Sequence, residues 1–116
     1  LVKKQGLDMA FSEIELKRIE IEVGGFCEKR SPVEIRDQLS FQYRIKAHDV
    51  IIYTRRPRWD NPQKWIDSDM AKIKYVRTAN MWQLFWQRAN GKWVTYEPLP
   101  YSKNLKSIIK EIEADQ

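Results

Sequence analysis

The chain is poor in the residues that staple, coordinate or cut. It has one cysteine, Cys27, and one histidine, His48. A single thiol cannot close an internal disulfide, so no disulfide framework is expected and a reducing compartment, the cytoplasm by default, fits the composition. A thiol nucleophile with an imidazole base would require these two residues to meet, and nothing in their spacing brings them together. No apolar run approaches the roughly 18 residues of a membrane span. The first residues, Leu1 to Asp8, lack the apolar centre of a signal peptide. Glycine is scarce too, and Gly24-Gly25 stands in a helical pattern rather than between a strand and a helix, so a phosphate-cradling loop is absent. There is no repeat, no low-complexity tract and no second domain. Met9-Ala10 reads as a native start, which makes residues 1–8 upstream and flexible and residues 9–116 one α+β domain.

Rings and positive charge are what the chain has in quantity. Five Trp, five Tyr and four Phe mean that large rings must supply much of the buried area. At 116 residues the chain buries roughly two thirds of its unfolded surface without staples. The formal charge of +5 is unevenly spread: from Arg44 to Lys92 eleven basic residues face only Asp49, Asp60, Asp67 and Asp69. An anionic partner would suit that stretch, although solubility alone would also justify it.

Ser12 with Glu15 is a capping-box signal, and Leu16, Ile19, Val23 and Phe26 then recur at helical spacing, predicting an amphipathic helix to about Lys29. Gly24 and Gly25 interrupt it, each costing about 1 kcal/mol against alanine. Ser31-Pro32 with Glu34 predicts a short helical turn over Pro32 to Arg36. From Leu39 the period becomes two: Leu39, Phe41, Tyr43 and Ile45 alternate with polar residues, and Val50 to Arg56 returns after a turn at Ala47-His48-Asp49. Pro57 withholds an amide and ends that strand. Trp59 to Asp69, with no sustained period, reads as a loop anchored to the core by Trp59, Trp65 and Ile66. Strands over Ala71 to Val76 and Met81 to Arg88 follow.

Asn90-Gly91 is the strongest hairpin signal, leading into Lys92 to Glu97. A two-residue turn would pair Trp86 with Thr95. A turn bulged at Gly91 would instead pair Trp86 with Val94 and Leu84 with Tyr96, gathering Trp82, Leu84, Trp86, Val94 and Tyr96 on one face. The bulged turn is preferred, and it sends Phe85 and Trp93 to the other face. Pro98 and Pro100 end the sheet, Ser102 or Asn104 caps a last helix, and Leu105, Ile108, Ile109 and Ile112 form its apolar stripe. The fold expected is α+β, an antiparallel meander of about five strands with an N-terminal and a C-terminal helix packed on it.

The segments Phe11-Ser12-Glu13, Val23-Gly24-Gly25-Phe26-Cys27-Glu28-Lys29-Arg30, Asp37-Gln38-Leu39 and Arg55-Arg56-Pro57-Arg58-Trp59, with Trp82 to Trp93, resemble the bacterial domain-of-unknown-function family numbered 3024. The resemblance covers about Met9 to Asp115. It implies a small intracellular bacterial protein of a kind that also occurs on integron gene cassettes, with a few further Phe- and Gly-rich residues after the position of Gln116. It implies no activity and carries over no catalytic residue.

Function is expected to lie in binding. Arg55, Arg56, Arg58, Trp59, Arg88 and Trp93 are the candidate binding residues, since guanidinium forks and indoles dominate interface hot spots. A non-catalytic module for a protein partner, self-association included, is the first expectation. Nucleic-acid binding through a basic, aromatic sheet surface is the alternative, with Arg44, Lys72, Lys74, Arg77 and Lys92 joining Arg55, Arg56, Arg58 and Arg88 in meeting phosphates and Trp59, Phe85 or Trp93 stacking on bases. Neither a zinc-finger spacing nor an RNA-recognition signature is present. A remote alternative is a metal-dependent nuclease with Asp60, Asp67, Asp69 and Glu97 around Mg²⁺ and Lys72 assisting; acids near Asn and Pro are more often turn formers. No cofactor, no catalytic residue and no membrane partner is expected.

Overall fold

The computed structural model describes residues 11–114, so the expected start at Met9 and the upstream segment lie outside the described residues. Helical backbone begins at α1, Glu13–Ile19, passes through a π-helical turn, Glu20–Gly24, and ends in α2, Gly25–Lys29. The capping box forms at its start: the Glu15 amide donates to Ser12 Oγ at 3.2 Å and the Ser12 amide to Glu15 Oε1 at 2.9 Å. A 3₁₀ turn, Val33–Ile35, leads to β1, Ser40–Lys46, and β2, Asp49–Pro57. The chain continues through β3, Trp65–Val76, β4, Met81–Gln87, β5, Trp93–Thr95, and β6, Tyr101–Ser102, to α3, Leu105–Ala114. Asn104 caps α3 by accepting the Lys106 amide on Oδ1 at 2.9 Å.

The sheet is an antiparallel meander in the order β1-β2-β3-β4-β5, with β6 returning to pair with β4. The bulged register of the last hairpin holds. Trp86 pairs with Val94, and the Tyr96 amide donates to the Leu84 carbonyl at 2.9 Å. Gly91 at φ 86° supplies the left-handed residue that such a turn demands.

Because directly opposed residues share a face, the pairing separates the sheet into two sides. Val50, Ile52, Ala71, Ile73, Trp82 and Leu84 form one side, and they pack with Ile19, Val23, Phe26, Leu105, Ile108 and Ile112 of the helices in one core. Phe11 stacks on Trp82 at 5.9 Å and Trp82 meets Tyr75 at 4.7 Å, so rings do fill one end of it. No described helix is long and apolar enough to cross a membrane.

The expected loop from Trp59 to Asp69 is corrected. β3 starts at Trp65, and only residues 58–64 connect it to β2. Neither tryptophan anchors the core, since Trp59 is 93% exposed and Trp65 42%. The physical reason is that Arg55–Pro57 and Trp65–Asp67 pair beyond the reach of the helices, so this half of the ribbon shows no buried period to read. The register also slips between Ile52 and Tyr53, leaving Met70 as the extra residue of a bulge in β3.

Candidate binding surface

The candidate residues are all drawn to one end of the sheet, but not to one face. β2 and β3 run past the rest of the sheet to a hairpin tip carrying Arg58 and Trp59, and β4 and β5 end at the same side in the turn carrying Arg88. Arg55 and Trp93 lie on the face away from the helices, whereas Arg56, opposite Ile66, lies on the helix-facing side. The Arg58 guanidinium is clamped by Asp60 through Nε and Nη2 at 2.9 and 2.6 Å. Arg55 approaches Asp67 at 3.7 Å. No described residue makes an ion pair with Arg56 or Arg88.

On the face that the helices leave uncovered, cations lie over rings. Arg44 sits 5.2 Å from the centre of Tyr53, Arg55 5.9 Å from Trp65, and Lys72 4.9 and 5.3 Å from Phe85 and Trp93. Register explains the arrangement, because Lys72 stands opposite both Ile51 and Phe85, and Thr95 of β5 opposes Phe85 in turn. Arg44 also forks onto Asp69 with two bonds of 3.0 Å, and this bond holds its guanidinium above its ordinary basicity. The rings that the sequence sends to this face are thus half-buried beneath the chain's own cations.

A cleft opens where β3 leaves β4. Past Ala71, opposite Trp86, the two strands separate, and a space of about 360 Å³ lies between them, bordered by Thr54, Ser68, Met70, Trp86, Tyr96 and Ile112. Its size falls in the range of small-ligand and side-chain pockets. Trp86 shares the face of Trp82 and Leu84 yet remains 49% exposed, and among the described residues α3 borders this cleft with Ile112. Met70, Thr54, Ser68 and Ile112 were not among the candidates. A bulge at Met70 has no sequence signal of its own, although Trp86 at a strand end was a legible hint.

The residues of the metal alternative do not converge. Asp60, Asp67 and Asp69 are each engaged by a different arginine, and no group of three or more His, Cys, Asp or Glu among the described residues is placed to hold a metal ion. Cys27 is buried in the helix layer, and burial pushes its thiol up to about 12, whereas His48 is exposed in the turn between β1 and β2. These positions place the thiol and the imidazole in different surroundings.

A family model described as Domain of unknown function (DUF3024) matches residues 11–116. No curated protein and no solved structure matches the chain.

Proposed function

The chain belongs to the DUF3024 family, and from that premise we propose that it is a non-catalytic binding module for a protein partner, engaged at the end of the sheet where both hairpins turn. One observation carries this reading. Trp59, Trp65 and Trp86 are 93%, 42% and 49% exposed toward that end, with Trp86 and Arg56 on the helix-facing side, Trp65 on the other face and Trp59 with Arg58 at the hairpin tip. Exposed indoles leave water at a large gain when covered, and Trp with Arg is the composition of interface hot spots. The alternative, nucleic acid, draws on the same groups, but Asp60, Asp67 and Asp69 already occupy three of the arginines, and phosphates would have to displace them. The cytoplasm is the compartment that fits a chain with one buried thiol.

The test compares the wild type with a Trp59→Ala/Trp86→Ala double variant as baits, after far-UV circular dichroism has shown both folded. A protein held by the wild type and released by the variant supports the reading. Equal capture by both overturns it, and so does tight binding of labelled single strands whose logarithm of affinity falls linearly with that of salt, which assigns the surface to nucleic acid.

A further inference from the structure

β3 changes neighbours partway along its length. From Ala71 to Lys74 it lies between β2 and β4, but from Asp69 back to Trp65 it pairs with β2 alone, and no described strand runs along its other edge. In an antiparallel ladder, residues alternate between exchanging both backbone bonds with the partner and turning those groups away. The Arg58 amide donates to the Lys64 carbonyl at 2.8 Å, which makes this pair one of the bonded kind. Counting back along the register, Arg56 with Ile66 and Thr54 with Ser68 are bonded, while Pro57 with Trp65, Arg55 with Asp67 and Tyr53 with Asp69 are the open pairs. Pro57, which has no N–H, falls on an open pair, where the β2–β3 ladder loses nothing by it. Trp65, Asp67 and Asp69 therefore direct their N–H and C=O groups to the unoccupied edge, alternating along it as a strand acceptor does.

What borders that edge is as informative as the edge itself. The cleft beside Met70, Trp86 and Ile112 opens next to it. At the same end of the sheet Arg56, Lys64, Arg88 and Lys92 make no ion pair with any described residue, while the nearby acids Asp60, Asp67 and Asp69 are each paired with an arginine. Glu111, beside the cleft, accepts a bond from the Tyr96 hydroxyl at 3.2 Å and makes no ion pair with a described residue, so four such cations stand against one such carboxylate and the uncompensated charge is positive. We infer that the free edge of β3 accepts an extended, acidic segment of the protein partner as an added strand, with an apolar side chain of that segment in the cleft beside Trp86 and its carboxylates toward these four cations. Backbone bonds supply affinity in such a complex, and the pocket and charges supply choice. A second copy of this chain is the less suitable occupant, since edge-to-edge pairing would set the same four cations against each other. The inference rests on the protein-binding reading above and narrows it.

Three fluorescein-labelled decapeptides test it against the full chain by anisotropy: a Val-Glu peptide, Glu-Thr-Glu-Thr-Val-Thr-Glu-Thr-Glu-Thr, whose apolar and acidic side chains share the face that Arg56 and Trp86 occupy, the same peptide with Lys for Glu, and the Val-Glu peptide with a central proline. The expected result is saturable binding of the Val-Glu peptide at micromolar concentration, weakened about tenfold or more in both other peptides and in Arg56→Glu/Arg88→Glu. Binding should also slow amide hydrogen exchange at Asp67 and Asp69, a readout that needs no variant. Equal affinity for the lysine or proline peptide, unaltered exchange at that edge, or no binding of any peptide overturns the inference. A dimer seen by sedimentation and broken by Asp67→Pro assigns the edge to a second copy and overturns it as well. If the peptides fail while Trp59→Ala/Trp86→Ala still releases its captured partner, strand addition fails and the protein-binding reading stands; if the bait experiment fails too, both fall.

Discussion

Trp82 and Trp86 occupy the same strand and the same face, so their truncation measures how far the core extends. Trp82 is 4% exposed, stacked on Phe11 and packed against Tyr75. Its replacement by alanine removes a fully buried ring and leaves a cavity, which costs about 3–5 kcal/mol. Trp86 already keeps 49% of its surface in water, and the space that its loss would enlarge is open to solvent. Roughly half the burial is lost and no closed cavity forms, so Trp86→Ala should cost about 1–2 kcal/mol. Against a total stability of about 5–15 kcal/mol, the first change is severe and the second mild. Urea titration followed by far-UV circular dichroism separates them: with a slope of about 2 kcal/mol per M, Trp82→Ala should lower the midpoint by about 1.5 M or more, and Trp86→Ala by about 1 M or less with an unchanged slope. Equal losses from the two variants would refute the open cleft and return Trp86 to the core.

Gly25 has helical backbone and nothing within 4 Å of an added Cβ, whereas Gly91 sits at φ 86°. Gly25→Ala should therefore raise stability by about 0.5–1 kcal/mol and Gly91→Ala lower it by about 1 kcal/mol or more, and calorimetric Tm shifts of the same sign would contradict the two backbone assignments. Glu15 is held below the usual carboxylate range, first by the Arg77 guanidinium at 2.9 and 3.2 Å and then by the Ser12 amide. A depressed native pKa contributes stability above the unfolded value, near about pH 4.3, and loses it as the pH falls through the native one. The stability gap between wild type and Glu15→Gln, read from urea midpoints, should hold from pH 7 to 5 and shrink toward pH 3; a gap independent of pH would exclude the ion pair as its source. Burial keeps the Cys27 thiol protonated, with its pKa at about 12, so a thiol reagent at pH 8 should leave the native protein unlabelled and modify it only as urea opens the core. Prompt stoichiometric labelling would contradict that burial.

Most of the architecture was legible because its causes are local. Ser12 and Glu15 satisfy each other within one turn, Asn90-Gly91 carries its own turn chemistry, and Phe41 with Tyr43 alternates against Gln42 with Arg44 wherever one face meets the helices. The first half of β3 was not legible. Asp67, Ser68 and Asp69 form strand because Arg55, Thr54 and Tyr53 pair with them, and no side-chain period records a pairing that buries neither face. The same gap hid the cleft. Arg55, Arg56, Arg58 and Trp59 were identifiable by residue type, but their division between two faces and a tip follows from alternation along β2, which the loop reading of β3 had cut short.

The sequence by itself determined the two helical segments, the meander order of β1 to β5, the register of the last hairpin and the kinds of group available for binding, because hydrophobic period, capping and turn preference act over a few residues, whereas β6, which pairs with β4 after the prolines that were expected to end the sheet, escaped it. Tertiary structure alone decided which rings are covered and which remain free. Whether Trp86 is core or surface depends on which elements reach the end of β4, whether Lys72 shields Phe85 and Trp93 depends on strand neighbours far apart in the chain, and the open edge of β3 exists because β3 runs on to Trp65 past the last pair that it makes with β4. Those outcomes are set by contacts between distant segments, and no short stretch of residues contains them.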